Sequence, residues 1–265
     1  MLMVLSPAKT LDYESPLPPA FQALEPELTR PAHVAEAERL IEGLRELSAA
    51  EVAELMELSP PLAELNVQRF KAWRARHTTH NSRAAVLAFN GDVYEGLDAR
   101  SLSEAALRRA QQRLRILSGL YGILRPLDRL QPYRLEMGRP VRTPTGKGLY
   151  AFWGTRLAED LNALGAQQRS PLLINLASQE YFKAVNRRAL RLPVLELVFE
   201  EVKNGSPKVI SFFAKRARGL MARFVLEQDL DHPDDLRAFD REGYAWVQAA
   251  SSPERWVFRR EGVVP

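Results

Sequence analysis

The chain has 265 residues, which is enough to bury a substantial hydrophobic core, and we expect a single domain over residues 1–265. It contains no cysteine, and this absence excludes thiol catalysis, thiolate metal sites and disulfide bonds. The formal net charge of +4 indicates an anionic partner only weakly, because a small excess of this kind is common.

The N-terminus predicts a buried strand and not a targeting segment. Five apolar residues precede Ser6 and Pro7, no basic segment comes before them, and no apolar run of 18 residues occurs anywhere in the chain. We therefore expect a cytoplasmic protein that does not associate with membranes, and we expect it to act as a monomer.

Short apolar runs that end at turn residues predict five buried strands. In chain order these runs are LMVL before Ser6, AAVLAF before Asn90, LRIL before Ser118, LLINL before Ala177 and KVISFF before Ala214. Helical patterns lie between several of them, for example over residues 102–114, and this alternation favours an α/β fold with a sheet flanked by helices. Two hairpins, which turn at Asn204 and Gly205 and around Ser252 and Pro253, predict that the sheet is mixed.

Two helices joined by a short turn are predicted within residues 48–76. Ser48 and Glu51 have the spacing of a capping box at the start of the first helix. The outline resembles a helix-hairpin-helix, a module that binds nucleic-acid backbone through hairpin amides and cations of its second helix. Here Arg69 and Arg74 supply such cations. The first helix is acidic, however, and the usual hairpin glycines are replaced by Pro60, Pro61 and Glu64.

Charge is distributed unevenly along the chain. Residues 25–64 contain ten Glu and three Arg, whereas residues 108–142 contain nine Arg, one Asp and one Glu. Residues 183–223 repeat the basic excess, with ten Lys or Arg and three Glu. If the fold brings the two basic segments together, they form a positively charged cleft; the alternative is that these cations are solvated surface groups.

Open α/β sheets bind ligands at the carboxyl ends of their strands, so the residues that follow each apolar run are candidates for a site. Lys9, Asp92 and Glu180 are the candidate catalytic groups, with Lys9 as anion binder or base and either carboxylate as general acid or base. The groups expected to orient a substrate are Tyr121, Arg125, Tyr133 and Arg134. The alternative is that these are ordinary polar turn residues.

The segment ISFFAKRARGLMARF at residues 210–224 predicts a strand that continues into a basic amphipathic helix. Its cations either bind phosphate groups or form a solvated face, and the sequence favours neither interpretation. The complete set of candidate anion- or DNA-binding residues is Lys9, Arg69, Arg74, Arg125, Tyr133, Arg134, Lys183, Lys215, Arg216, Arg218 and Arg223.

No motif for a cofactor or a metal is present. SPAKT places Lys9 and Thr10 after a strand but lacks the glycines of a P-loop, and GLYG at residues 119–122 is too short for a dinucleotide fingerprint. His77 and His80 have the spacing of helical neighbours, but no carboxylate is in register with them. We therefore predict no cofactor and no dedicated metal or iron site.

Five strings in this order resemble the YaaA peroxide-stress protein family. They are SPAKTLDY at residues 6–13, FNGDVYEGL at 89–97, LSGLYGILRPLDRLQPYRLEMG at 117–138, INLASQEYF at 174–182 and ISFFAKRARGLMARF at 210–224. The resemblance implies a cytoplasmic bacterial protein that helps cells survive hydrogen peroxide. It would do so by keeping unincorporated iron low, so that less iron reacts with peroxide to damage DNA and proteins. It also implies a compact, cantaloupe-like α/β fold with a helix-hairpin-helix and a positively charged cleft that binds DNA.

Two functions therefore compete. The first is a stress protein that binds double-stranded or structured DNA, and its affinity is expected to fall steeply with salt. The second is an enzyme that acts on a small anionic substrate such as a nucleotide or a phosphorylated metabolite, with a reaction type that the sequence does not specify. A third option is an interaction protein whose cleft has only a structural role.

Overall fold

The structure is a computed structural model and describes residues 1–146, 148–203 and 205–261. Its strands are β1 (Leu2–Leu5), β2 (Thr10–Leu11), β3 (Arg83–Ala84), β4 (Phe89–Asn90), β5 (Leu114–Ser118), β6 (Gly122–Leu124), β7 (Arg129–Leu130), β8 (Leu173–Leu176), β9 (Val194–Lys203), β10 (Ser206–Lys208), β11 (Ala245–Trp246) and β12 (Arg255–Glu261). Eight of them form one sheet in the order β11-β12-β9-β8-β1-β5-β6, with β10 paired to β9.

The sheet is mixed, as the sequence predicts. Its centre is parallel, because β1 pairs in parallel with β5 and β8, β8 with β9, and β9 with β12. Antiparallel pairs add β6, β10 and β11 at its margins. All four residues of β1 are buried, as expected for a strand with both faces covered, whereas β9 alternates buried and half-buried residues along its length.

Eleven α-helices surround this sheet in the described residues. They are α1 (Pro19–Ala23), α2 (Val34–Arg45), α3 (Ala49–Met56), α4 (Pro60–Ala72), α5 (Ala85–Ala88), α6 (Asp92–Leu97), α7 (Glu104–Arg113), α8 (Gly148–Trp153), α9 (Arg156–Gly165), α10 (Gln179–Phe182) and α11 (Ser211–Glu227). The longest, α11, packs on β1, β8 and β9 and also contacts α6 and α7. The α/β class and the mixed sheet flanked by helices are thus confirmed, and no helix of the described chain is long and apolar enough to cross a membrane.

Three of the five predicted strands are confirmed and two are wrong. LMVL forms β1, LRIL forms the first four residues of β5, and LLINL contains all of β8. AAVLAF instead forms the helical turn α5 and the first residue of β4. The N–H groups of Ala85 and Val86 donate to the carbonyls of Asp128 and Pro126, so this run packs on the chain segment 126–128. A short buried apolar run does not distinguish a strand from a helical turn.

KVISFF is the second wrong strand. The strand β10 ends at Lys208 and the helix α11 begins at Ser211, and the side chains of Val209 and Phe212 are more than half exposed. Both predicted hairpins are present as antiparallel pairs, β9 with β10 and β11 with β12. In the first turn, Gly205 adopts a φ of +73°, which glycine tolerates, while Asn204 lies outside the described residues.

The predicted helix pair of residues 48–76 consists of α3 and α4. The capping box is present: Ser48 Oγ accepts from the N–H of Glu51 at 3.3 Å, and the Glu51 carboxylate accepts from the N–H of Ser48 at 2.8 Å. Glu57 ends α3 in the left-handed conformation with a φ of 54°, and Pro60 begins α4. The two helices contact each other and are joined by residues 57–59.

Candidate functional site

A cleft of about 440 Å³ opens where β1 and β8 end. Ser6 and Ser178 follow these neighbouring strands, and the N–H of Ser178 donates to Ser6 Oγ at 2.8 Å. Tyr94 of α6 donates its hydroxyl to the Ser6 carbonyl at 3.0 Å. These bonds hold the two strand ends and α6 together, so the cleft lies at the carboxyl ends of parallel strands, where α/β sheets bind ligands.

The charged residues that line this strand-end cleft are balanced in number. They are three cations and three carboxylates: Lys9, Lys215, Arg218, Asp92, Glu136 and Glu180. All three candidate catalytic residues are therefore in one cleft. Its lining is of mixed charge, and this differs from the positively charged cleft expected from the basic segments.

Close packing of α6 on α11 positions one charged pair of the cleft. A Cβ on Gly219 would lie 1.9 Å from the Val93 carbonyl oxygen, and a Cβ on Gly96 would lie 2.1 Å from the Arg216 carbonyl oxygen. Only glycine allows the two backbones to approach this closely. This close packing places Lys215 Nζ 3.7 Å from Oδ2 of Asp92, the first residue of α6.

Glu136 is the most buried charged group of the cleft, with a residue exposure of 5%. Its Oε1 accepts from Arg134 Nη2 at 3.0 Å, and Lys9 Nζ lies 3.6 Å from the same oxygen. Within the described chain its other oxygen, Oε2, is buried and has no hydrogen-bond partner. Because buried carboxylate oxygens are rarely unpaired, this atom is available to accept a hydrogen bond from a water molecule or a ligand.

The fold of residues 117–138 explains how Glu136 reaches the cleft. A Cβ on Gly119 would lie 2.2 Å from the Leu135 carbonyl oxygen, so the segment folds back on itself at a point that only glycine permits. Gly122 adopts a φ of +68° where β6 begins. The result is a buried loop that carries Arg134 and Glu136 to the ends of the strands.

Arg218 is the one cleft cation for which the described residues offer no hydrogen-bond or ion-pair partner; Lys9 and Lys215 each have a carboxylate within 4.0 Å. Burial lowers the pKa of its guanidinium, and Glu196 opposes that shift. A free cation and a free carboxylate oxygen, on Arg218 and Glu136, thus line the same cleft.

Glu180 and three tyrosines complete the walls and floor. Glu180 Oε1 accepts from the N–H of Gly138 at 2.9 Å. Tyr133 shares a 2.6 Å hydrogen bond with Ser118 Oγ below the cleft. Burial raises the pKa of Tyr94, Tyr133 and Tyr181, so all three are neutral hydrogen-bonding groups at physiological pH.

Several predicted residues lie away from this cleft. Arg125 pairs with Asp128 at 2.9 Å and donates to the Arg30 carbonyl, while Tyr121 is buried and accepts from Trp73 Nε1. Arg216 pairs with Glu242, Arg223 pairs with Glu227 and Asp98, and Lys183 lies over the Tyr150 ring in another pocket. Arg69 lines a pocket beside α4, and Arg74 is exposed on the loop that follows α4.

Ion pairs neutralise most of the basic segment 108–142. Seven of its nine arginines have a carboxylate within 4.0 Å: Arg108, Arg109, Arg113, Arg125, Arg129, Arg134 and Arg139. Three of these carboxylates come from the acidic segment 25–64, namely Glu25, Glu27 and Glu57. The acidic and basic segments of the sequence thus compensate each other in space.

A second basic region has no such compensation. Residues 65–91, the acid-free stretch, contain five Lys or Arg and no Asp or Glu. Lys71, Arg74 and Arg76 are exposed, and none of them has a carboxylate within 4.0 Å in the described chain. Arg69, which is partly buried, and Arg83, which is buried, also have no carboxylate within 4.0 Å in the described chain.

Two residues of these sites were not singled out from the sequence. Glu136 is the single glutamate of residues 108–142, but no local pattern marks it as buried. The same is true of Arg83, because its burial depends on chain segments far away in sequence. Across the described residues, no three His, Asp or Glu side chains are grouped so that they could hold a metal ion.

The fold and the cleft define an α/β protein with a potential ligand site at the carboxyl ends of its parallel strands. The profile of a family described as "Peroxide stress protein YaaA" matches residues 1–250. A UPF0246 protein of Bordetella petrii is 55% identical over 261 residues, which cover 98% of this chain and 100% of the relative. UPF0246 proteins of Paracidovorax citrulli and Bordetella pertussis are 55% and 54% identical over 261 residues, covering 98% of this chain and 99% of each relative. The chain belongs to the YaaA peroxide stress protein family, and the resemblance seen in the sequence is confirmed.

Proposed function

We propose that this protein defends the cell against hydrogen peroxide by keeping unincorporated iron low, which limits oxidative damage to DNA and proteins. It acts in the cytoplasm as a monomer and binds DNA. Family membership supports the role in peroxide stress. The DNA-binding part rests on one observation, the exposed and unpaired cations of the acid-free stretch.

Unpaired cations are better suited to bind phosphate than paired ones. Lys71, Arg74 and Arg76 have no carboxylate within ion-pair distance among the described residues, so a DNA phosphate does not have to displace a negatively charged partner, although Arg74 donates to the Lys71 and Trp73 carbonyls. Arg216 and Arg223 are also basic, but each already pairs with a carboxylate. We therefore assign the DNA contact to the acid-free stretch and not to the strand-end cleft.

The helix pair α3–α4 contributes to this surface through side chains more than through its turn. Pro60 and Pro61 have no N–H group, so the hairpin offers few amide donors to a phosphate. Glu54 and Glu57 lie at the end of α3 and repel phosphate. The DNA-binding role of this helix-hairpin-helix-like element thus depends on the cations at the end of α4 and just after it.

Fluorescence anisotropy with a short DNA duplex over a range of salt concentrations tests the DNA contact. Each phosphate contact contributes about 0.9 to the slope of log affinity against log salt. The triple variant Lys71→Ala, Arg74→Ala, Arg76→Ala should therefore lower that slope by about 2 to 3. The control is Arg169→Ala, Arg188→Ala, Arg191→Ala, which removes the same charge from exposed residues between α9 and β9. Equal slopes for the first triple variant and the wild type would reject the assignment.

A cellular measurement tests the iron part independently. Unincorporated iron can be measured by electron paramagnetic resonance in peroxide-treated bacteria that lack their own copy of the protein. Expression of the wild-type chain should lower the iron signal and restore survival. If it restores neither, this chain does not act in peroxide defence in the way proposed.

A second candidate function is an enzyme on a small anionic substrate in the strand-end cleft, with Lys9, Asp92 and Glu180 as the candidate catalytic groups. The free guanidinium of Arg218 and the unpartnered Oε2 of Glu136 favour it, since a ligand with an anionic group and a hydrogen-bond donor would satisfy both. Thermal-shift screening against nucleotides and phosphorylated metabolites tests it. A ligand that stabilises the wild type should no longer stabilise Arg218→Gln but should still stabilise the control Arg216→Gln. If no compound of the screen stabilises the protein, the result counts against an enzyme.

A further inference from the structure

A second cavity lies beside the exposed cations of the acid-free stretch. It has a volume of about 640 Å³ and is enclosed by α4, residues 13–17 and residues 79–83. We call it the Arg83 pocket. Arg69 and Arg83 contribute its two full positive charges, and no carboxylate lines it in the part of the chain that the structure describes.

Arg83 is buried here with most of its hydrogen-bonding capacity unused. The residue is 7% exposed, and its Nη1 donates to the Ser15 carbonyl at 2.8 Å. Its Nε and Nη2 are buried and have no hydrogen-bond partner among the residues described. A buried guanidinium with two unmet donors is costly, and native proteins normally satisfy such groups with protein, water or a ligand.

No neighbouring carboxylate fulfils this role for Arg83. Asp12 is close enough to interact with it through space, but its carboxylate accepts from the N–H groups of Glu14 at 3.1 Å and Ser15 at 2.9 Å. Asp12 Oδ2 also lies 3.9 Å from Arg100 Nη1. The Asp12 carboxylate therefore already accepts hydrogen bonds from the turn that follows it and interacts with another arginine, Arg100.

Arg69 faces the same pocket without a hydrogen-bond or ion-pair partner in the described chain. Burial lowers the pKa of both guanidinium groups, as expected for cations that are partly withdrawn from water. Two neutral polar groups of the pocket are occupied internally. Tyr13 donates to the Leu130 carbonyl at 2.6 Å, and the Asn81 side chain bonds to Thr78 and Arg76.

We propose that the Arg83 pocket binds a small oxyanion of the phosphate class, with Arg83 Nε and Nη2 and the Arg69 guanidinium as donors. The Nε and Nη2 atoms of one arginine form a fork that matches two oxygens of a phosphate group. Arg83 is too deeply buried for a phosphate that continues into a DNA chain on both sides. The occupant is therefore free phosphate or the terminal phosphate of a small molecule.

Isothermal titration calorimetry at low salt, with inorganic phosphate and a 5′-mononucleotide as separate ligands, tests the proposal on the full-length protein. The wild type should bind at least one of them with saturation. Arg69→Gln and Arg83→Gln should each weaken binding about tenfold or more, because each removes charged hydrogen bonds. Arg169→Gln removes the charge of an exposed arginine that lines neither pocket, and as the matched control it should bind like the wild type.

The two ligands distinguish the possible sources of the phosphate group. Binding of inorganic phosphate alone identifies a free-ion site, and tighter binding of the mononucleotide identifies a phosphomonoester site. Absence of binding for both, or affinities unchanged by Arg69→Gln, overturns the proposal. If circular dichroism shows that Arg83→Gln is unfolded, the binding affinity of Arg69→Gln decides the outcome, because Arg69 is only half-buried. The DNA salt slope does not depend on either result, because its triple variant leaves Arg69 and Arg83 in place.

Discussion

The strand-end cleft and the acid-free stretch both contain several cations, but these cations differ in whether they have carboxylate partners. In the cleft, Lys9 and Lys215 each lie within 4.0 Å of a carboxylate, Glu136 and Asp92, so most of the positive charge is compensated. In the acid-free stretch, the exposed cations have no carboxylate partner among the described residues. The comparison shows that the availability of a cation depends on its partners in space and cannot be read from the local excess of Arg and Lys.

The largest expected effect concerns the packing that builds the cleft. Gly219→Ala places a methyl group against the Val93 carbonyl, and neither backbone can move away easily, so we expect a loss of about 3 kcal/mol or more in the free energy of unfolding. The same variant should leave the salt dependence of DNA binding unchanged, because α11 lies outside the acid-free stretch. Urea unfolding measures the change in stability, and DNA titration of the same preparation measures the salt dependence.

Gly43→Ala is the matched control for this variant. Gly43 is exposed within α2, and a Cβ there would meet only the Arg142 carbonyl at 3.9 Å. We expect it to be neutral or stabilising by up to about 1 kcal/mol, since alanine favours a helix over glycine. A Gly219→Ala protein as stable as Gly43→Ala would contradict the close packing of α6 on α11.

The next effect concerns the charges of the cleft. Glu136→Gln removes a buried negative charge that Arg134 and Lys9 share, and we expect a loss of about 1.5–3 kcal/mol. Glu57→Gln is the comparison, because Glu57 also pairs with an arginine, Arg139 at 2.8 Å, but its side chain is 78% exposed. That pair should contribute less than about 1 kcal/mol. Equal losses in urea unfolding would show that the cleft pair is no more important than a surface pair.

The smallest effect concerns two histidines in contrasting surroundings. Burial lowers the pKa of His77, in the acid-free stretch, to about 4, below its ordinary value of 6.5. His77 is therefore neutral in the fold, and its contribution to stability is complete above about pH 6.5 and declines as the pH falls toward 4. His33 differs because its hydrogen bond to Asp160 at 2.6 Å raises its pKa. Its contribution is complete below about pH 6.5 and is lost as the pH rises through the raised pKa.

Unfolding of His77→Gln and His33→Gln at about pH 5 and about pH 8 measures these opposite trends. The stability difference between wild type and His77→Gln should be smaller at the lower pH, and the difference for His33→Gln should be larger there. Differences that change in the same direction for both variants would contradict the assigned environments.

The sequence predicts the centre of the fold well and its charge pairing poorly. LMVL, LRIL and LLINL are short, mainly apolar runs because parallel strands are buried on both faces, and such runs are easily recognised. AAVLAF and KVISFF have similar composition but form a helical turn and a helix start, which depend on contacts with distant chain. A single sequence does not show such contacts.

The candidate site shows the same limit. The rule that ligands bind at strand ends selects Lys9, Asp92 and Glu180, and the structure brings all three to one cleft. The same rule also selects Arg125, which lies elsewhere and pairs with Asp128. The burial of Glu136 and the pairing of residues 108–142 with residues 25–64 follow from long-range folding, and no local pattern encodes them.

The central claim is that unpaired cations, and not paired ones, bind DNA, and one titration tests it directly. The triple variant Lys71→Ala, Arg74→Ala, Arg76→Ala is compared with Arg108→Ala, Arg139→Ala, Arg216→Ala, in which each replaced arginine pairs with a glutamate. Both variants lose three positive charges. We predict that the slope of log affinity against log salt falls by about 2 to 3 in the first and by less than about 1 in the second. Equal decreases, or a larger decrease in the second variant, would contradict the claim.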